Sequence, residues 1–96
     1  MKYTIYLLIA KNKKSIYITY VGYTKNLKKR LILHNSSKGA KFTKGNHWKV
    51  IYKKSFNNKS LALKEEYRLK KDYKKRSFIK KKYLLKINEN INTASI

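Results

Sequence analysis

Residues 3–34 read YTIYLLIAKNKKSIYITYVGYTKNLKKRLILH. The run at 3–10 is β-branched and aromatic, the composition of a strand. Residues 11–15 are polar and lysine-rich, and 16–20 return to strand composition before Gly22. Two such runs joined by a short polar segment predict a β-hairpin. In an antiparallel pair, opposed residues have a constant index sum. With the turn centred on Lys13 that sum is 26, which sets Tyr6 opposite Tyr20 and brings Tyr3 and Tyr23 together on the other face. A change of two in the sum would stagger Tyr6 and Tyr20 but leave them on the same face. After the hairpin, Thr24 can cap a helix reaching about Asn35, with Leu27 and Leu31 on one side.

Outward from this stretch, residues 36–46 (SSKGAKFTKGN) read as a basic loop with two glycines, and 48–56 as a third strand. Ser60 can cap a long helix to about Arg76, and Ser77 a final one to about Ile87. The order β-β-α-β-α-α predicts an α+β domain over residues 1–87, with a three-stranded, mainly antiparallel sheet flanked by helices. Residues 88–96 read as a frayed polar tail.

The 96 residues include 26 Lys plus Arg, only three of them Arg, against four Asp plus Glu, a formal charge of +22. A surface so basic calls for a polyanionic partner, nucleic acid first. Codon bias can inflate a lysine count, but it does not account for the scarcity of acids. Absence of cysteine excludes disulfides and thiolate metal sites. No apolar run approaches the ~18 residues of a membrane span, and no signal-peptide plan opens the chain, so the expected location is the cytoplasm. The two histidines lack metal-site spacing, and no phosphate-loop or nucleophile-elbow motif occurs.

Three constellations carry possible chemistry. Tyr6 and Tyr20 share a sheet face, although paired tyrosines are most often cross-strand packing. Arg30 and His34 are four apart on one helix face, at the edge of the Leu27–Leu31 stripe, where a guanidinium can stay partly exposed and grip a phosphate. They read equally as a solvated cation and a packed imidazole. Glu66 projects into the stripe formed by Ala62, Leu69 and Tyr73, where a carboxylate is costly unless paired or metal-bound. It can instead lean outward to Lys70.

Taken in order, these residues resemble the GIY-YIG nuclease family. Thr4-Ile5-Tyr6 is similar to the first signature, with Thr in place of Gly, and Tyr20-Val21-Gly22 to the second. The second continues through Thr24, Asn26, Leu27, Arg30, Leu31 and His34. Residues 34–41 (HNSSKGAK) and 60–70 (SLALKEEYRLK) are similar to the small stand-alone bacterial members, so the resemblance spans about 3–80. An Asn that many members carry beyond the metal Glu has no counterpart in 78–82.

The resemblance implies divalent-metal-dependent hydrolysis of DNA phosphodiesters. Tyr20 would be the general base or a relay to the attacking water, with Tyr6 supporting it. Arg30 would stabilise charge on the transferring phosphoryl group. His34 would hydrogen-bond Tyr6 or the phosphate, or help proton transfer. Glu66 would be the sole protein ligand to Mg²⁺ or Mn²⁺. Gly22 would let the backbone approach the Tyr20 turn closely. No small-molecule cofactor or membrane partner is implied. Lys28, Lys29, Lys38, Lys41 and Lys44 are candidates for DNA-backbone contact, with Phe42 and Trp48 as possible base-stacking surfaces, although Trp48 suits the core better. With no base-reading helix, little sequence specificity is expected, and the expected DNA is branched, nicked or single-stranded, as in repair or recombination. The competing readings are an inactive basic DNA-binding protein with the same fold and an RNA-binding module, the latter without an RNA-binding signature.

Overall fold

The computed structural model describes residues 2–94, with side chains described to residue 88. Strand β1 (Tyr3–Lys11) lies in the middle of a three-stranded sheet, antiparallel to β2 (Tyr17–Thr24) on one side and to β3 (Lys49–Phe56) on the other. Helix α1 (Leu27–Asn35) follows β2, and α2 (Lys59–Lys71) and α3 (Tyr73–Ala94) follow β3. This is the expected α+β order, with a single 3-10 turn at Lys41–Thr43 added inside the basic loop.

Every residue of β1 from Thr4 to Ala10 is buried because both faces of the sheet are covered. Ile5 and Leu7 pack with Val21 and with Ala62 and Leu69 of α2. Tyr6, Leu8 and Ala10 point the other way, to Trp48 and the Leu27–Leu31 side of α1. Trp48 is 1% exposed and belongs to the core rather than to a base-stacking surface. Among the described residues, no helix is long and apolar enough to cross a membrane.

The hairpin register differs from the expected one by two. Tyr6 opposes Gly22, and Tyr20 opposes Leu8. The cause is the turn. The Asn12 side chain accepts from the backbone N–H groups of Lys14 (2.9 Å) and Ile16 (3.0 Å), and Ser15 takes a left-handed φ of 62°. The loop therefore centres on Lys14, one residue later than expected. Side-chain parity survives, so Tyr6 and Tyr20 share a face in staggered positions. On the opposite face Tyr3 and Tyr23 stack with ring centroids 6.3 Å apart.

Helix boundaries move for a common reason: a side-chain acceptor nearer the first helical turn wins. Asn26, not Thr24, caps α1 by accepting from Lys29 N–H at 3.1 Å, while the Thr24 hydroxyl accepts from Asn26 N–H. Asn58, not Ser60, caps α2 by accepting from Leu61 N–H at 3.2 Å. The break between the last two helices falls at Asp72 rather than Ser77. There the Asp72 carboxylate accepts from Lys75 N–H at 3.0 Å, and Arg76 donates to the carbonyls of Leu69 and Lys70 at the end of α2. Tyr73 consequently starts α3 and is 72% exposed, outside the stripe it was expected to complete. Of the tail expected to fray, residues 88–94 continue α3, and residues 95 and 96 lie outside the described residues.

Among the described residues, one buried side-chain polar atom has no partner. The Tyr23 hydroxyl is buried without a hydrogen bond. Its desolvation is uncompensated, so Tyr23→Phe is expected to stabilise the fold by about 1 kcal/mol, read as a higher urea midpoint at an unchanged slope. A drop in midpoint would show that the hydroxyl is satisfied.

Candidate active site

Strand β2 carries Tyr20, and helix α1 carries Arg30 and His34, packed on the sheet face that Tyr6 presents. Tyr6 comes from the central strand and is 1% exposed. Its ring lies across Gly22, its cross-strand partner. A Cβ at residue 22 would penetrate the Tyr6 Cζ and Oη positions and stand 2.7 Å from Cε1. Gly22 thus makes room for the ring of Tyr6.

His34 sits one helical turn after Arg30 and is fully buried. Its Nε2 lies 2.8 Å from Tyr6 Oη, and its Nδ1 lies 2.8 Å from Thr43 Oγ1. The loop that carries Thr43 reaches the imidazole because residue 39 is glycine, where a Cβ would run into the ring. Two fastenings hold that loop. Asn35 exchanges hydrogen bonds with the backbone of Trp48, and Trp48 Nε1–H donates to the Thr43 carbonyl at 2.9 Å.

The remaining residues act on Tyr6 and His34 through their charges. Burial pushes the Tyr6 phenol above its ordinary pKa. The Arg30 guanidinium opposes that rise, while the charges of Tyr20 and Glu66 add to it. Burial, with the Arg30 charge behind it, also holds His34 below the ordinary histidine value. Arg30, Tyr20 and Glu66, from three separate parts of the chain, therefore all act on one phenol.

Tyr20 is partly exposed. Its ring makes an edge contact with His34 at 5.3 Å and stacks on Phe42 at 6.0 Å, with 19° between the planes. Phe42 is 58% exposed, so it extends the aromatic surface outward. Beside them opens a hollow of about 370 Å³ bounded by Tyr20, Phe42, Lys70 and Arg76. A larger groove of about 570 Å³, between α1 and β3, is lined by none of the tyrosines, histidine or glutamate just described.

Glu66 keeps 18% of its side chain exposed and stands 3.7 Å from Lys70 Nζ. Both readings of this residue hold in part: the carboxylate is largely covered, and it leans to Lys70. The ion pair is longer than a hydrogen bond, so a stronger cation can displace the ammonium. Among the described residues no cluster of three or more His, Cys, Asp or Glu is gathered. A lone, largely covered carboxylate suits a hard divalent cation such as Mg²⁺, which retains several waters and takes one or two carboxylates. The donor set fits that ion.

Lys28 and Lys29 on α1 and Lys38, Lys41 and Lys44 on the loop are all exposed. Thr43, Asn35 and Gly39 carry no sequence signal comparable to the tyrosines. A threonine inside a glycine-containing loop after a candidate histidine is the one faint cue to them.

The family model for the GIY-YIG catalytic domain matches residues 2–83. A UPF0213 protein of Oceanobacillus iheyensis is 54% identical over 52 residues, covering 53% of this chain and 60% of the relative. The chain thus matches under two thirds of that relative's length. A UPF0213 protein of Staphylococcus saprophyticus is 40% identical over 70 residues, covering 72% of this chain and 80% of the relative. The solution structure of a UPF0213 protein from Bacillus halodurans is 30% identical, with a TM-score of 0.41 over 91% of this chain and 85% of that one. The match runs through both tyrosine signatures, α1 and α2, and on that ground this chain belongs to the GIY-YIG family of nuclease domains.

Proposed function

We propose that this domain is a divalent-metal-dependent endonuclease that hydrolyses DNA phosphodiester bonds with little sequence preference, selecting branched, nicked or single-stranded structures in repair or recombination. What supports the reading is the buried Tyr6–His34 hydrogen bond, the edge contact of the Tyr20 ring with the same imidazole, and the charges of Arg30 and Glu66 acting on the Tyr6 phenol. Tyr20, the more accessible tyrosine, takes the proton of the attacking water or relays it. Tyr6 orients that group, and Arg30 stabilises charge on the transferring phosphoryl group. Glu66 would hold Mg²⁺ or Mn²⁺, which when bound would supply Lewis-acid chemistry to the phosphodiester. Exposed lysines on α1 and the 36–46 loop hold the DNA backbone, and Phe42 offers a stacking face for a base.

The test is incubation of the purified chain with duplex, nicked, branched and single-stranded DNA. Cleavage is expected with Mg²⁺ or Mn²⁺ and none with excess EDTA. Tight, salt-sensitive binding without cleavage of any substrate in either metal would instead support a non-enzymatic DNA-binding protein, a reading favoured by the Lys70 hold on Glu66.

A further inference from the structure

The geometry points to Thr43 as a positioning residue that fixes the tautomer of His34, and through it the direction in which the Tyr6 hydroxyl points. Its mechanistic meaning rests on the nuclease reading. Its physical content does not.

The number of protons along a buried chain of hydrogen bonds fixes its direction. Thr43 Oγ1 has one hydrogen and two close neighbours, the Ala40 carbonyl at 2.8 Å and His34 Nδ1 at 2.8 Å. A carbonyl oxygen can only accept. If the Thr43 proton went to the histidine, two acceptor oxygens would face each other at 2.8 Å with nothing between them. The hydroxyl therefore donates to Ala40 and accepts from His34. That places the imidazole proton on Nδ1 and makes Nε2 the acceptor. Tyr6 Oη, 2.8 Å from Nε2, must then donate to it. Its lone pairs are left free of the histidine, and the Arg30 charge acts on that oxygen. Tyr6 thus presents an acceptor to the site and does not aim its own proton there.

The loop is built to hold this arrangement. Thr43 is 0% exposed, as is His34. The backbone N–H of Thr43 also donates to the Ala40 carbonyl at 3.1 Å, and Trp48 clamps the Thr43 carbonyl. Gly39 permits the close pass over the ring. None of these contacts needs the Thr43 hydroxyl, so its removal should spare the loop path.

In Thr43→Val a methyl group faces Nδ1. A buried N–H there would be orphaned, and an unsatisfied acceptor is the less costly alternative. The ring proton moves to Nε2, and the Tyr6 hydroxyl is forced to turn outward. Thr43→Ser keeps the hydroxyl and should keep the tautomer.

The experiment is ¹⁵N NMR of the imidazole nitrogens in the full chain without DNA, at a pH where His34 is neutral. Wild type and Thr43→Ser are expected to carry the proton on Nδ1, and Thr43→Val on Nε2. Under Mg²⁺, Thr43→Val is expected to lose about 10–100-fold in cleavage rate at unchanged DNA affinity, with Thr43→Ser within about twofold of wild type, the size usual for loss of a group that orients a catalytic side chain. A wild-type His34 protonated on Nε2, or a folded Thr43→Val that retains the Nδ1 proton, overturns the inference. If the valine variant does not fold, the wild-type spectrum still decides the direction of the chain. An active enzyme with the Nε2 tautomer sinks this inference alone, and an inactive chain with the Nδ1 tautomer sinks the nuclease reading alone.

Discussion

Arg30→Ala is expected to cut DNA about 10²–10³-fold more slowly than wild type, the usual cost of removing one preorganised group that stabilises transition-state charge. DNA binding should hardly change. The chain carries a net charge of +22, and the loss of one cation lowers the log–log salt slope of binding by about one phosphate's worth. The effect therefore belongs in the turnover rate rather than in the affinity. Arg30→Lys preserves charge but not the planar fork, so it should recover only part of the loss. A second readout comes without substrate. The Arg30 charge helps hold the His34 pKa down, so His34 should titrate at higher pH in Arg30→Ala. Wild-type turnover by the alanine variant would remove Arg30 from the site. Glu66→Gln is the companion measurement. It keeps the side chain's shape, removes the charge that holds a cation, and is expected to abolish stimulation by Mg²⁺.

The sheet, the order of elements and the shared faces of Tyr6 with Tyr20 and of Arg30 with His34 were legible because each rests on parity or periodicity. Tyr6 and Tyr20 share a face under either hairpin register, since a change of two in the index sum preserves side-chain direction. Arg30 and His34 share a face wherever α1 begins. What depended on one particular hydrogen bond was not legible. The register followed from the Asn12 side chain and a left-handed Ser15, and the helix starts from Asn26 and Asn58 competing with nearby hydroxyls. The break at Asp72 needed Arg76 to reach back to the end of α2, a contact no local pattern announces. Thr43 escaped notice for a related reason. Its hydroxyl matters only because the 36–46 loop folds back over His34, and that path is set by Gly39 and Trp48.

The second large effect is expected at Gly22, where a single methyl group should damage both the fold and the site. Gly22 lies directly opposite Tyr6. The added Cβ would occupy the space of the Tyr6 ring. The ring has nowhere to go: it is 1% exposed, and its hydroxyl is tied to His34. Nor can β1 retreat, because both of its edges are paired. The clash must be relieved by rotating Tyr6 away from His34 or by opening the hairpin, at about 1–3 kcal/mol for an overpacked interior. Urea unfolding of Gly22→Ala should show that loss, and cleavage should fall at least to the level of Tyr6→Phe, which keeps the ring but lacks the hydroxyl. A double-mutant cycle separates ring clash from a general intolerance of the β2 backbone. In a Tyr6→Ala background there is no ring to strike, so adding Gly22→Ala should cost little. The two changes should then couple by about 0.5–3 kcal/mol, the range for residues in direct contact. Simple additivity would mean that the glycine serves the backbone instead. The second signature would then owe its glycine to β2 itself and not to the tyrosine of the first.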